Sequence, residues 1–154
     1  MATTQWLTRV EDEAWRGLRR VYLLACAEIS RDLQRDSGLS DADYEVLTSL
    51  SESSGDRLRF GDLATATRWS TSRLSHHVDR MQRRGLVERT ERKDDGRGSD
   101  VALTAHGRAT IEGAAPDHVR SVRRHLFDQL TAEQTTQLAG ITGSVLGPHD
   151  VGQG

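Results

Sequence analysis

Apolar side chains recur every three or four residues along the first 33 positions of the chain. This spacing predicts one amphipathic helix of about thirty residues, which ends where Ser37 and Gly38 allow a left-handed residue. The helix is too long for a small domain to cover, so we expect part of its face to pack on another helix or on a second copy of the chain. The apolar stripe comprises Trp6, Val10, Ala14, Leu18, Val21, Ala25, Ile29 and Leu33.

Three short helices are predicted between residues 40 and 85. Ser40 is a good N-cap for the first of them, and a polar loop over residues 51–56 follows it. A very short helix beginning at Phe60, a turn over residues 67–70 and a further helix ending at Gly85 then have the spacing of a helix-turn-helix. The expected inward side chains are Tyr44, Leu47, Leu50, Leu63, Ala64, Leu74, Val78 and Met81.

Two β-like runs over residues 86–90 and 99–103 flank a polar, glycine-bearing segment, which predicts a hairpin directly after the helix-turn-helix, that is, a wing. Thr104 is expected to cap a fifth helix, which Pro116 should kink or interrupt. Thr131 and Gln134 form a capping box that opens a sixth helix, with its end at Gly147 and Pro148. The predicted inner stripe of the fifth helix is Ile111, Ala115, Val119, Val122, Leu126 and Leu130.

The fold class predicted from these elements is mainly α with a small β-hairpin wing. It is a winged helix-turn-helix with long N- and C-terminal dimerisation helices. The expected division is an N-terminal dimerisation helix over 1–36, a winged helix-turn-helix over 37–104, C-terminal dimerisation helices over 105–147 and a disordered tail over 148–154.

Charge along the chain is segregated rather than uniform. The 154 residues carry a formal net charge of -2, yet residues 68–97 contain nine basic and five acidic side chains, so the rest of the chain is strongly acidic. A local excess of arginine is what phosphate recognition requires. Aromatic residues make up only 5% of the chain, which favours helices that complete their core against a partner.

The start of the helix after residue 70 has the residue types that a recognition helix needs in a major groove, because Arg73 can pair bidentately with guanine and small hydroxyl side chains can meet bases or phosphates. The basic hairpin tip suits a narrow minor groove, and Asp95 is placed to orient Arg97. The predicted contacts with double-stranded DNA are Thr71, Ser72, Arg73, Ser75, His76, Arg80, Arg92, Lys93, Asp95 and Arg97.

Residues 38–107 resemble the multiple-antibiotic-resistance-regulator (MarR) family of winged-helix repressors. The resemblance rests on five groups of residues: 38–40, 62–64, 78–81 with 84–89, 95–97 and 103–107. It departs from the family at Gly98, where a second wing-tip arginine is common, and at His77, where an aliphatic residue is common.

The resemblance implies a homodimer that binds a pseudo-palindromic operator, with Arg97 in the minor groove and the helix from Thr71 in the major groove. It also implies repression of neighbouring genes and release from DNA by a small aromatic or phenolic effector. Candidate residues for an effector pocket are Trp15, Tyr22, Tyr44 and His118, although ordinary core packing explains each of them as well.

The sequence gives less support to other functions. Some family members sense peroxide through a cysteine, but the apolar sequence around Cys26 predicts a buried, inert thiol. His106, His118 and His125 lack a diagnostic metal-ligand spacing, and no cofactor is expected. No catalytic constellation stands out, so we do not expect an enzyme. A winged helix that binds protein instead of DNA stays open as an alternative. With no signal pattern and no membrane-spanning stretch, a cytoplasmic location is expected.

Overall fold

The computed structural model describes residues 5–91 and 98–150, with side chains of the last helix as far as residue 147. Within these residues the chain forms six α-helices and three short strands. The helices are α1 (Arg9–Ser37), α2 (Asp41–Ser51), α3 (Phe60–Thr67), α4 (Thr71–Arg83), α5 (Ala105–His125) and α6 (Ala132–Asp150). The strands are β1 (Arg57–Arg59), β2 (Val87–Glu91) and β3 (Ser99–Leu103), and single 3-10 turns cover Ser54–Asp56 and Phe127–Gln129.

The chain divides into two compact units. One contains residues 30–118 and is called here the winged unit; the other contains residues 1–29 and 119–154 and is called the arm unit. Both boundaries fall inside helices, α1 and α5, so the units do not coincide with the elements of secondary structure.

The winged unit has a sealed apolar core. Burying each of its large aliphatic side chains contributes about 1.5–3 kcal/mol, so this cluster is the main source of the unit's stability. Tyr44, Leu58, Phe60, Trp69 and Leu103 are half-buried around its edge. The buried cluster comprises Leu33, Leu39, Val46, Leu47, Leu50, Leu63, Ala64, Leu74, Val78, Met81, Leu86, Val87, Val101, Ile111 and Ala114.

The three strands form one antiparallel sheet in the order β1-β3-β2. Val87 pairs with Leu103 and Glu91 with Ser99, so β2 and β3 form the predicted hairpin. The sequence pattern missed β1, in which Arg59 pairs with Asp100. A three-residue strand with one apolar side chain shows no periodicity, and its pairing with β3 is a long-range contact.

The predicted helix ends are confirmed where local capping chemistry determines them. Ser40 caps α2 in a reciprocal capping box with Asp43, and Gly38 and Gly85 have φ values of 68° and 72°. The amide of Gly107 donates to Thr104 Oγ1 at 2.9 Å, and Thr131 and Gln134 form the predicted box before α6.

Other predictions for the C-terminal helices are wrong. Of the predicted kink or interruption at Pro116, the interruption is wrong, because helix α5 runs through Pro116 without a break; it ends at His125, so Leu126 and Leu130 lie beyond it. Ala114 is buried in place of Ala115, and Val119 is 55% exposed. Helix α6 continues past Gly147 and Pro148 to Asp150, because a proline removes one backbone hydrogen bond without forcing the helix to end there. Residues 151–154 of the predicted tail lie outside the described residues.

Candidate nucleic-acid interface

The turn before α4 is fixed by backbone hydrogen bonds. Arg68 adopts the left-handed conformation with a φ of 54°, and the amide of Trp69 donates to Ala64 O at 3.1 Å. The Ser70 hydroxyl then accepts from the amide of Arg73 at 3.2 Å, which is an N-cap contact. These bonds determine where α4 begins and therefore which side chains stand at its N-terminal end.

Burial separates the two faces of α4. Leu74, Val78 and Met81 are completely buried, as the periodicity predicts. Of the residues predicted to contact DNA, Ser75 is half-buried, and the other five on this helix are exposed. Those five are Thr71, Ser72, Arg73, His76 and Arg80. The helix thus offers hydroxyl, imidazole and guanidinium groups to solvent around its N-terminal half.

Two of these arginines already have partners in the chain. The guanidinium carbon of Arg73 lies 4.1 Å from the centroid of the Trp69 ring. Arg80 Nη2 lies 2.8 Å from His77 Nδ1, to which it donates a hydrogen bond. Both side chains are therefore held close to the surface of α4 before any ligand is bound.

Arg89 links the hairpin to α4, a role that the sequence did not indicate. From β2 its Nε donates to Ser99 Oγ at 2.9 Å, and its Nη1 donates to Ser75 Oγ at 3.3 Å. The guanidinium carbon also lies 4.4 Å from the centroid of the Phe60 ring. The hydroxyl of Ser75, a predicted DNA contact, thus accepts a bond from the wing strand. The tip residues Arg92, Lys93, Asp95 and Arg97 lie outside the described residues.

A buried carboxylate ties the inner side of α4 to α2. Asp43 is 3% exposed, and its Oδ2 accepts from Arg84 Nη1 at 2.8 Å and from the amide of Ser40 at 3.0 Å. Arg84 Nη2 also donates to Gly38 O at 3.2 Å. Burial raises the pKa of Asp43, but the hydrogen bonds from Arg84 and Ser40 outweigh it and bring the pKa below its usual value.

His77 completes this network from α4. Its Nε2 lies 3.1 Å from Asp43 Oδ1. Because arginine can only donate, the bond from Arg80 makes Nδ1 the acceptor, and the neutral ring carries its proton on Nε2, facing the carboxylate. Burial lowers the pKa of His77, and the charge of Arg80 adds to that effect, while Asp43 opposes it. The family resemblance placed an aliphatic residue here, and this network explains how the chain accommodates histidine instead.

We expect the free energy of unfolding to fall as the pH drops from about 7 to 5. In the unfolded chain His77 has an ordinary pKa of about 6.5 and binds a proton in this range, whereas in the folded chain its lowered pKa opposes protonation, so acid favours the unfolded state. The folded pKa is the lower one, so the loss begins below the unfolded value. Urea unfolding across this pH range should give a flatter profile for His77→Gln. A slope in the His77 variant equal to that of the unmodified chain would contradict the assignment.

The four candidate pocket residues fall into different units. Tyr44 and His118 pack together in the winged unit, with ring centroids 4.3 Å apart, and His118 Nδ1 is buried with no hydrogen-bond partner among the described residues. Trp15 and Tyr22 belong to the arm unit, where they are 53% and 68% exposed. Burial raises the pKa of Tyr44 and lowers that of His118.

The prediction that Cys26 is buried is wrong, because its side chain is exposed on α1. Its apolar neighbours Leu23 and Leu24 are exposed as well, so an apolar sequence did not imply burial here. Across residues 5–91 and 98–150, His, Cys, Asp and Glu form no group of three or more that could hold a metal ion. None of the described helices is both long and apolar enough to span a membrane.

The capped helix-turn-helix and the hairpin that follows it define a winged helix-turn-helix of the kind found in transcriptional regulators. Residues 37–98 match the family model described as MarR family. Two solved structures from Streptomyces coelicolor are similar over most of the chain. AbsC, a MarR family transcriptional regulator, is 46% identical with a TM-score of 0.88, and the match covers 97% of this chain and all of AbsC. Sco3205, a MarR family transcriptional regulator crystallised in complex with DNA, is 38% identical with a TM-score of 0.86, and the match covers 92% of this chain and 89% of that one.

Among curated proteins, the transcriptional repressor YetL of Bacillus subtilis is 27% identical over 55% of this chain. The match spans 51% of YetL, and the chain spans less than two thirds of each curated relative that it matches. The identity and coverage of AbsC and Sco3205 show that this chain belongs to the MarR family of transcriptional regulators.

Proposed function

We propose that the chain works as a homodimer that binds a pseudo-palindromic operator in duplex DNA and represses transcription. The observation that carries the proposal is the exposed polar N-terminal half of α4 beside a β-hairpin, in a chain 38% identical to a regulator crystallised with DNA. In this arrangement α4 enters the major groove and the hairpin reaches the adjacent minor groove. The repressor YetL supports repression as the direction of control. The role is regulatory rather than enzymatic, and the DNA target implies a cytoplasmic location.

Exposed apolar side chains in the arm unit support the dimer. Every large hydrophobic residue that is strongly exposed among the described residues belongs to this unit, whereas the core of the winged unit is sealed. Leaving such a surface in water is unfavourable, and a two-fold partner would cover it. The exposed residues are Trp6, Leu7, Val10, Trp15, Leu18, Val21, Tyr22, Leu23, Leu24, Val119, Ile141, Val145 and Leu146.

Release by a small aromatic or phenolic effector is the regulatory part of the proposal. Tyr44 and His118 offer a stacked pair of rings, and the unpartnered Nδ1 of His118 can accept a hydrogen bond from a phenol. Trp15 and Tyr22 stay candidates from the sequence alone.

Footprinting of the purified chain on the DNA that flanks its own gene tests the function. The proposal predicts protection of two half-sites about one helical turn apart. Raising the salt from about 50 to 200 mM should weaken binding by about 10³-fold or more if six or more phosphates are contacted. The absence of both protection and a salt effect would favour the alternative, a winged helix that binds protein.

Arg73→Ala is expected to cost about 1–3 kcal/mol of binding free energy, mainly at one base-pair position, because a bidentate contact with guanine is specific. Arg97→Ala should instead weaken binding to all sequences, since a minor-groove arginine responds chiefly to electrostatic potential. Dissociation constants for the operator, its single-base variants and scrambled DNA separate the two patterns. Equal losses on cognate and scrambled DNA for Arg73→Ala would remove its proposed reading role.

A further inference from the structure

Trp69 is the one tryptophan of the winged unit, and the proposed contacts with DNA do not include it. It stands in the turn between α3 and α4, where its amide donates to Ala64 O and the left-handed Arg68 precedes it. Its side chain is half-buried against the edge of the apolar core. The backbone of the turn and the packing of the core therefore both restrict the position of this ring.

Three different side chains contact the indole of Trp69. The His77 ring meets it edge-on, with centroids 5.3 Å apart and planes at 89°. The indole N–H, its only polar group, interacts with the Glu45 carboxyl of α2 and acts to lower the pKa of that carboxyl. The Arg73 guanidinium lies over the ring, with its carbon 4.1 Å from the centroid. The ring is thus held from α2 and α4 while it carries an arginine of the predicted base-reading set.

The charges around this cluster fit such an arrangement. Burial raises the pKa of the Glu45 carboxyl, whereas the positive charge of Arg73 and the indole N–H act in the opposite direction. The effect of burial is the larger one, so the pKa of Glu45 lies above its ordinary value, and the carboxyl interacts with both the indole N–H and the guanidinium stacked on the ring.

Stacking suits an arginine that must read a base. A guanidinium that lies flat on an aromatic face keeps its N–H donors in its own plane, where they stay available for a bidentate contact. A carboxylate that accepted hydrogen bonds from those donors would compete with guanine for them, whereas an aromatic ring face leaves them free. Holding the long side chain in one place also reduces the freedom that is lost when the base contact forms.

We propose that Trp69 is a positioning residue for sequence recognition, a platform that holds Arg73 in the orientation in which it reads a guanine. The inference rests on the proposed function, because it assumes that α4 enters the major groove. Glu45 supports the platform through the indole N–H.

The test uses the full-length chain and a duplex that the unmodified protein selects from a random library, together with every single-base-pair variant of that duplex. Trp69→Leu should lower the preference for the cognate base pair by about three- to tenfold at one position, the same position that Arg73→Ala affects. Binding to scrambled DNA should not change. Trp69→Phe should retain most of the preference, because it keeps an aromatic face. The matched control is Phe60→Leu, which removes the ring beneath Arg89 and should leave the preference at that position intact.

A double variant shows whether Trp69 acts through Arg73. In an Arg73→Ala background, Trp69→Leu should cause no further loss of base preference. If Trp69→Leu fails to fold by circular dichroism, Glu45→Ala takes its place at an exposed position, with a smaller loss at the same base pair expected. A loss spread evenly over all sequences, or an unchanged preference, would overturn the positioning role.

A measurement without DNA separates this inference from the proposed function. In the free protein, the Arg73 Nε–H resonance should show a ring-current shift that disappears in Trp69→Leu and persists in Trp69→Phe. If the shift is absent, the platform does not exist, even in a chain that binds DNA. If the shift is present but Arg73→Ala costs no base preference, the reading role of Arg73 fails, and the positioning role of Trp69 fails with it.

Discussion

Replacing Gly107 with alanine is expected to lower the free energy of unfolding by about 3 kcal/mol, at the upper end of the usual cost of overpacking. A Cβ atom on Gly107 would lie 1.9 Å from the carbonyl oxygen of Leu86 and 2.9 Å from its carbonyl carbon. Both atoms belong to the backbone, so no side-chain rotation can relieve the clash. The first turn of α5 would have to move away from the residue that precedes β2.

That movement would break other contacts of the same joint. Leu86 O accepts from the amide of Thr104 at 3.2 Å, and the Thr104 hydroxyl donates to Gly85 O at 2.6 Å. These bonds connect the residues that follow α4 to the start of α5, so their loss adds to the steric cost.

Gly113→Ala is the matched control in the same helix. A Cβ at that position has nothing within 4 Å, and an exposed glycine in a helix is less favourable than alanine by about 0.5–1 kcal/mol. Urea unfolding should therefore show Gly107→Ala destabilised and Gly113→Ala slightly stabilised. Equal stability of the two variants would mean that α5 does not approach Leu86 so closely.

The sequence predicted α4 better than its surroundings because the signals of this helix are local. Ser70 and Gly85 set the ends of α4 within a few residues, and the periodicity of Leu74 and Val78 identified its buried face. The joint at Gly107 could be suspected only through the family resemblance, since the clash depends on Leu86, which is distant in sequence.

The parts of the candidate site that were missed depend on contacts between distant residues. Arg89 reaches Ser75 across 14 positions, and Arg84 reaches Asp43 across 41. Neither pairing leaves a periodic trace, because a single polar residue on a helix or strand has many potential partners. The burial of Cys26 was predicted wrongly for a related reason. An apolar stripe in the sequence has the same pattern whether residues of its own chain or of a partner cover it, so the pattern does not show which side chains are buried within one chain.

Asp43→Ala is expected to destabilise the chain by about 3 kcal/mol at neutral pH. The change removes half of the capping box of α2, worth about 1 kcal/mol, and takes away the carboxylate oxygen that lies 3.1 Å from the buried His77 Nε2, where no other hydrogen-bond partner is present among the described residues, at a further cost of about 1–3 kcal/mol. Arg84 adds little, because its side chain is 45% exposed and water can solvate the freed guanidinium. Thermal and urea unfolding measure the loss, and Asp41→Ala is the control, an exposed acid in the same helical turn that should cost under about 1 kcal/mol.

Acid titration distinguishes this network from simple packing. The pKa of Asp43 lies below its ordinary value in the folded chain despite burial, because Arg84 and Ser40 bind the ionised form. Its contribution is therefore complete above the unfolded pKa and is lost as the pH falls through the folded one. The difference in stability between the unmodified chain and Asp43→Ala should shrink on acidification below about pH 4. A difference that stayed constant with pH would show that the carboxylate stabilises α2 and α4 by its shape alone, and the ionic account of the network would be wrong.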